Sequence, residues 1–502
     1  MVNDRQTIQN LDEIKVLIKC SLILIQAYVA HYRIHQNVFK KHFGKQKFAD
    51  AKTHFKTLML KLIPERMEIA LETIMEFLRN EQLWKVEFIC CKIIQLLLSC
   101  HAPVEIVIEK MIDYVKELLH KHNVKETRHV LCTFHDILHP EYLKNISEIQ
   151  PIRVLKLYHD SFKMNPNSDY CVIKTGLELC LIKLFQFLEI NQITKMLPIM
   201  LKLTLDSNLN QDAMINFGCT IKHVLSRLQE NTFLENLQPN IFDYILNEIT
   251  SDDETKSYLA CRFFSKLLDY NNNYDQFMIP VIFFKDTSYN IKIRLFSIDD
   301  KMLIEKYRNL IEDSLVFAIK NYSYNRNNLD AIYNVICLLI VSMPCGFMVA
   351  VIICMLIHVQ KFAINESPIL DPVHVNYLHS MIASIMTLIC WVHRPSSLTK
   401  YIHNVVNLRY DKAPHLNPPL KKIYKYAQHH ILWHKPELYF DSWELRYCLW
   451  KCYRLGEELL PNVMPTEIIE NFDLNRQRSW KKILGIPSKS NIYKMSQQNY
   501  FK

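Results

Sequence analysis

The stretch from Ala331 to Gln360 constrains the fold most, because it contains no Asp, Glu, Lys or Arg. By length and hydropathy it is a candidate transmembrane segment. However, Pro344 lacks an amide hydrogen and Gly346 tolerates left-handed dihedral angles, so residues 343–346 are typical of the turn in a helical hairpin. Each half is then about 12–15 residues long, which is too short to cross about 30 Å of hydrocarbon. A membrane span over Tyr333–Val359 is the competing interpretation, since membrane helices also tolerate Pro and Gly.

The residues that follow favour the hairpin. A polar connector, Asn365–Pro372, leads to an apolar helix predicted over Tyr377–Trp391, which at about 15 residues is again short of a span. The next helix, Pro395–Tyr410, is amphipathic, with Leu398 and Ile402 on one face. Buried helical hairpins beside amphipathic helices are the sequence pattern of an α-solenoid.

Glycine content indicates the fold class. The chain has 502 residues and only six glycines, whereas sheets with tight hairpins, dinucleotide-binding turns and phosphate-binding loops all depend on glycine. Hydrophobic residues make up 49% and charged residues 22% of the chain, which is typical of a globular protein rather than a disordered one. We therefore predict an all-α, armadillo/HEAT-like helical-repeat solenoid.

The helical pattern divides the chain into four regions. Predicted helices of about 12–20 residues, among them Phe48–Leu62 and Pro64–Arg79, alternate with short connectors, as in stacked helix pairs. The pattern is lost near residues 270–300, where Ile291–Phe296 alternates like a short strand or an extended loop. The predicted regions are an N-terminal helical-repeat region (1–270), an irregular connector (271–300), a C-terminal helical-repeat region (301–460) and a basic, mostly disordered tail (461–502).

Basic residues predict where the chain contacts a partner. The net charge of +9 fits attraction to anionic lipid or nucleic acid. Phe39–Lys47 is interpreted as a basic interhelical loop, and Leu474–Lys502 contains seven Lys or Arg and no Asp or Glu. A solvated loop and an unstructured end without a partner are the alternatives. The candidate membrane-contact residues are Lys40, Lys41, Lys45, Lys47, Arg476, Arg478, Lys481 and Lys482.

Motifs for catalysis and cofactor binding are missing from the sequence. There is no Gly-x-Ser-x-Gly elbow, no Gly-rich phosphate cradle and no His-Glu-x-x-His, so we predict neither an enzyme nor a cofactor. His430 and His434, like Cys448 and Cys452, lie four residues apart, a spacing that facing helices use for zinc. The Cys-x-x-Cys turn of common zinc modules is absent, so we predict no metal site.

Cysteine usage indicates a reducing compartment. The chain has 15 cysteines, most of them within apolar helical faces, and we interpret them as free thiols that are mostly buried, including Cys20. The polar start, Met1-Val-Asn-Asp-Arg-Gln6, does not resemble a signal peptide.

Several segments, in this order, resemble a known family. The chain is similar to the Efr-three / rolling-blackout (stambha A) family, the plasma-membrane scaffolds of the type III phosphatidylinositol 4-kinase complex. The resemblance covers most of Lys52–Trp480. Besides the apolar hairpin, the residues that carry it are His54–Leu58, Phe77–Trp84, Glu87-Phe88, Cys91–Ile94, Ile291–Arg294, Asp300–Ile319, Ile364-Asn365-Glu366, His379, Pro395 and Val406–Pro414.

The resemblance implies a function. A family member is expected to be a non-catalytic peripheral scaffold at the cytoplasmic face of the plasma membrane, with a cytosolic pool. Its expected partners are anionic membrane lipid and the phosphatidylinositol 4-kinase complex with its adaptor subunits, and no nucleic acid. The alternative is a soluble helical-repeat protein-binding module without a lipid role. Lipase activity has been linked with the family, but the sequence lacks the serine elbow that such an activity needs.

Two expected family features are missing, which puts stable anchoring in doubt. Members usually begin with a palmitoylated cysteine cluster, whereas the first cysteine here is Cys20. The long C-terminal tail that is linked with adaptor binding is also missing. These departures are those expected of a truncated paralogue or an incomplete gene model, and a basic patch alone gives weak attachment.

Overall fold

The computed structural model describes residues 11–34, 38–143, 147–164, 168–225, 239–294, 298–365, 370–421, 424 and 435–454. Within these ranges it contains α-helices and short 3-10 helices and no strand, which confirms the all-α prediction. The chain forms two compact units, Met1–Val224 and Leu225–Lys502.

The helices of the first unit are α1 (Leu11–Ile34), α2 (Val38–Asn80), α3 (Glu87–Leu98), α4 (Val104–His120), α5 (Val124–Ile137), α6 (Ile149–Ser161), α7 (Ser168–Phe185), α8 (Ile190–Thr204) and α9 (Gln211–Leu225). Helices α3, α5 and α7 pack side by side in one layer, and α4, α6 and α8 form a second layer. This two-layer stacking of alternate helices is the arrangement of armadillo and HEAT repeats.

The helices of the second unit are α10 (Pro239–Ile249), α11 (Glu254–Leu268), α12 (Ile298–Asn321), α13 (Arg326–Ser342), α14 (Gly346–Asn365), α15 (Pro372–His393), α16 (Ser396–Lys412) and α17 (Ser442–Arg454). Helices α11, α13 and α15 form one layer, and α10, α12 and α14 form the other. Short polar side chains begin several helices: Asp253 accepts the amide hydrogens of Thr255 and Lys256, and Asp371 accepts that of Val373.

The apolar stretch folds as the predicted hairpin. Helix α13 ends at Ser342 and α14 begins at Gly346, so residues 331–360 do not form one continuous helix. The predicted lengths were wrong, however, because α14 has 20 residues and α15 has 22, and both are long and apolar enough to cross a membrane. Their apolar windows are 72% and 94% buried against other helices. Burial, rather than length, therefore identifies them as packed core helices here.

The helix boundaries near the N-terminus differ from the prediction. Residues 39–47 were interpreted as a loop, but they lie in α2, because Lys and Gln are good helix formers and one glycine is tolerated. Helices predicted over Phe48–Leu62 and Pro64–Arg79 are parts of this same element. The break falls at Arg66, whose dihedral angles of −138° and 31° are not helical. Cys20 is exposed on α1, whereas we predicted it to be buried.

Residues 269–294, which include most of the predicted connector, lie within the second unit. Apart from a 3-10 helix at Tyr274–Phe277, the segment is irregular, and side chains hold its backbone in place. Asn273 bonds both the amide and the carbonyl group of Lys292, at 2.9 and 2.8 Å. Ser384 of α15 accepts the amide hydrogen of Val281 at 3.1 Å and donates to its carbonyl oxygen at 2.7 Å. The division at 271–300 stays a prediction. The boundary between the two compact units follows residue 224 in the sequence.

Candidate membrane-facing site

The predicted membrane-contact residues are only partly within the described structure. Lys40, Lys41, Lys45 and Lys47 all belong to α2, and Lys47 is exposed, while the other three side chains lie outside the described part. The basic residues predicted for the tail, Arg476, Arg478, Lys481 and Lys482, also lie outside the described residues.

Further along the same helix, the structure brings together a lysine cluster that consists of Lys52, Lys56 and Lys92. Lys52 and Lys56 are one helical turn apart on α2, and Lys92 approaches them from α3. Burial lowers the pKa of Lys52, and repulsion from Lys92 and Lys56 lowers it further. Within the described ranges, no carboxylate forms an ion pair with these lysines. The cluster is therefore a concentration of like charge without internal compensation.

An aromatic ring accompanies this cluster. The Nζ atom of Lys52 lies 5.1 Å from the centre of the Phe48 ring, one turn earlier on α2. A half-buried phenylalanine beside several lysines offers apolar and cationic contacts together, as proteins do at anionic membrane surfaces. This cluster was not among the residues predicted from the sequence. The four-residue spacing of Lys52 and Lys56 is a visible signal, but the approach of Lys92 depends on how α2 and α3 pack.

A buried histidine in the first unit, His159, lies beside the partly exposed carboxylate of Asp206. The Nε2 atom of His159 lies 3.2 Å from Asp206 Oδ2, and Lys163 Nζ lies 3.5 Å from the same oxygen. Burial lowers the pKa of His159. The hydroxyl group of Ser161 on the same helix donates to the carbonyl oxygen of Tyr158 at 2.6 Å, so this serine is engaged elsewhere. We therefore interpret the contact between His159 and Asp206 as structural rather than catalytic.

Of the four residues considered as zinc ligands, only two lie within the described structure. Cys448 and Cys452 are buried on α17, whereas His430 and His434 lie outside the described residues. Among the residues that the structure describes, no group of three or more His, Cys, Asp or Glu side chains is arranged to hold a metal ion.

A groove between α5 and α7 is the second surface feature of the first unit. It has a volume of about 540 Å³, and its walls include Leu131, Cys132, Val172 and Leu179. Gly176 lets the two helices approach, because a Cβ atom there would lie 3.2 Å from Leu131 Cδ1. The walls are mainly apolar, with Arg128 and Asp136 as charged exceptions. Such a groove fits a protein segment better than a charged small molecule.

Comparison with known proteins agrees with this architecture. A protein-family model described as EFR3, armadillo repeat, matches residues 26–441, which include α2 to α16. No individual curated protein shows significant similarity to the chain. The match covers most of the chain and names the same repeat class that the two-layer helix stacking shows. The chain therefore belongs to the EFR3 family of armadillo-repeat scaffolds.

Proposed function

We propose that the protein is a non-catalytic peripheral membrane scaffold that helps to localise a phosphatidylinositol 4-kinase complex, with its adaptor subunits, to the cytoplasmic face of the plasma membrane. The observation that carries the proposal is the armadillo-repeat match over residues 26–441. Solenoids of this type present long surfaces on which lipid and protein partners bind separately. The partners and the cellular location are inferred from the family.

The lysine cluster supports the lipid part of this proposal. Like charges four residues apart on a helix destabilise it slightly, and Lys92 adds to the repulsion at this cluster. Anionic headgroups relieve that repulsion, and each lysine near a charged membrane surface contributes about 1 kcal/mol of attraction. Together with the exposed Lys47, the cluster gives part of the first unit a cationic surface. A basic patch by itself gives attachment that is weak and salt-sensitive.

Flotation with phosphatidylserine vesicles tests the lipid role. We expect binding at low ionic strength to fall at least about threefold when Lys52, Lys56 and Lys92 are changed to Gln, because three surface attractions are lost. The matched control changes Lys116, Lys125 and Lys156, which are exposed lysines elsewhere in the same unit, to Gln. Equal loss in both triple variants shows that net charge alone acts, and no loss in either contradicts the assignment of the cluster.

Co-purification tests the partner. A tagged copy of the chain is expected to retain the 4-kinase and its adaptor subunits from membrane fractions. Recovery of neither, from cells in which the kinase complex itself is intact, contradicts this part of the proposal.

The groove between α5 and α7 favours a second candidate, a soluble helical-repeat binding module without a lipid role. An apolar groove with a volume of about 540 Å³ is large enough for several side chains of a partner segment. The same vesicles separate the two candidates, because a module of this kind does not float with them at any ionic strength.

A further inference from the structure

A buried arginine in the second unit is the least expected charge in the described structure. Arg409 on α16 has no exposed surface. Its Nε atom donates to the carbonyl oxygen of Leu438 at 2.5 Å, and Nη1 donates to that of Leu416 at 3.4 Å. The guanidinium carbon lies 4.6 Å from the centre of the Phe440 ring. The remaining nitrogen, Nη2, has no hydrogen-bond partner among the described residues.

Other buried polar atoms near this arginine also have no hydrogen-bond partner within the described part of the chain. They are Nδ1 of His379, both ring nitrogens of His415 and Oδ1 of Asn417, all shielded from solvent. His379 and His415 are close enough to Arg409 for its charge to lower the pKa of each imidazole. A buried donor or acceptor without a partner costs about 1–3 kcal/mol, so a group of them in one place indicates a ligand or ordered water.

Among the described residues, no carboxylate forms an ion pair with this guanidinium. The ionisable neighbours that favour its charge are two tyrosines, Tyr439 and Tyr401, and they are uncharged near neutral pH. The sequence from Lys412 to Pro436 contains five Lys and four His but no Asp or Glu, so this stretch supplies no acidic partner either. An unpaired buried charge is costly, which leaves a mobile anion as the natural counter-ion.

The charge states of the neighbours suit an anion. Burial lowers the pKa of His379 to about 3 and that of His415 to about 4, and the charge of Arg409 is the second cause in both cases. Both imidazoles are therefore neutral near pH 7, and each keeps one N–H group that can donate. Burial lowers the pKa of Arg409 to about 10, so its guanidinium remains positive. The cluster thus offers one positive charge and several unpaired donors.

We propose that Arg409, His379 and His415 form a binding site for a small inorganic anion of halide size. In solution, the anion that occupies this site is chloride. A halide carries a single negative charge, which matches the single positive charge of Arg409. It is also small enough for an enclosed site, and this site is enclosed because Arg409 and His415 are 0% exposed and His379 is 1% exposed. A phosphate ester needs an opening through which its organic part leaves, and side chains at an opening are exposed. Oδ1 of Asn417 is an acceptor, so it is suited to a water molecule rather than to the anion.

The site lies where several chain segments meet. His379 belongs to α15 and Arg409 to α16, while the segment 436–440 crosses both. Gln360 of α14 holds the same segment, since its side chain donates to the carbonyl oxygen of Phe440 at 2.7 Å and accepts its amide hydrogen at 3.0 Å. A bound anion therefore stabilises the attachment of the segment that precedes α17.

Thermal unfolding of the full chain at constant ionic strength tests the site. Replacing 100 mM chloride with gluconate is expected to lower Tm by about 2–5 °C, if chloride binds with a Kd of about 10 mM. In Arg409→Met the difference between the two salts is expected to disappear. The matched control, Lys400→Met, changes an exposed lysine on the same helix and keeps the difference. Equal Tm values in the two salts for the unaltered chain overturn the proposal.

Bromide replaces chloride in a direct test that needs no variant, so it also decides the matter if Arg409→Met does not fold. Crystals of the unaltered chain grown in bromide are expected to show an anomalous peak within about 3.5 Å of Arg409 Nη2. Water at that position, or bromide at the protein surface only, overturns the proposal.

Discussion

At the residue scale, buried histidines contribute to the response of the protein to acid. Burial lowers the pKa of His379 to about 3, and lowers those of His393 and His415 to about 4, whereas an unfolded histidine has a pKa of about 6.5. Below pH 6.5 the unfolded chain therefore binds protons that the folded chain does not. The free energy of unfolding falls as the pH drops from about 6.5 towards 4, and it is unaffected by these groups above that range.

We expect each of these histidines to lower the free energy of unfolding by about 1.4 kcal/mol per pH unit in this window. Urea unfolding at pH 7.5, 6.0 and 5.0 measures the slope. His393→Gln removes one titrating group and is expected to reduce the slope by up to about 1.4 kcal/mol per pH unit. The control is Thr57→Ala, which changes no ionisable group and leaves the slope unchanged. A slope insensitive to His393→Gln contradicts the neutral, buried state of that imidazole.

At the element scale, α15 holds the irregular segment 269–294 through its hydroxyl groups. Ser384 bonds both backbone groups of Val281 and also the hydroxyl group of Tyr333 at 2.8 Å. Thr387, one turn later, accepts the amide hydrogen of Phe283 at 3.1 Å. Because these partners are buried or half-buried, removing the serine hydroxyl leaves several polar groups without hydrogen bonds.

Ser384→Ala is therefore expected to lower the free energy of unfolding by about 2–4 kcal/mol, since up to three polar groups lose a partner. Chemical denaturation measures the change in the free energy of unfolding. Hydrogen exchange of the Val281 amide shows whether the loss of stability is located at this segment. Thr57→Ala, which removes an exposed hydroxyl that bonds only within α2, is the matched control and is expected to cost under about 1 kcal/mol. A change in stability without faster exchange at Val281 contradicts this account.

Much of this architecture is visible in the sequence, and the exceptions have physical causes. Pro344 and Gly346 predict the turn of the hairpin correctly. The length of α15 was underestimated because Pro372 is not a breaker there but occupies the first turn, where its missing amide hydrogen costs nothing. The partners of Arg409 and Ser384 could not be predicted, because they lie up to about 100 residues away in the chain.

At the scale of the whole molecule, burial of α14 and α15 predicts the behaviour in extraction experiments. Although both helices are long and apolar enough to span a bilayer, most of their apolar surface faces other helices of the second unit. Contact with lipid then involves the outer surface only. We expect alkaline carbonate to release the protein from membranes into the supernatant, as it does for peripheral proteins.

The control for this extraction is a resident integral membrane protein that stays in the pellet of the same sample. Retention of the chain in that pellet, with its fold intact by circular dichroism, contradicts the packing of α14 and α15 as core helices. The two remaining sets of candidate lysines, those at the start of α2 and those in the tail, do not affect this outcome, because carbonate removes electrostatic attachment.

The burial of α14 and α15 also bears on biosynthesis. These two helices leave the ribosome before the segment 436–440 and α17, which help to cover them. Until then they are covered by elements that are already synthesised, among them α12, α13 and the irregular segment 269–294. A newly made chain therefore passes through a stage in which targeting factors that recognise hydrophobic segments can mistake it for a membrane protein. We expect early docking of α14 onto α12 and of α15 onto α13 to limit such misdirected insertion.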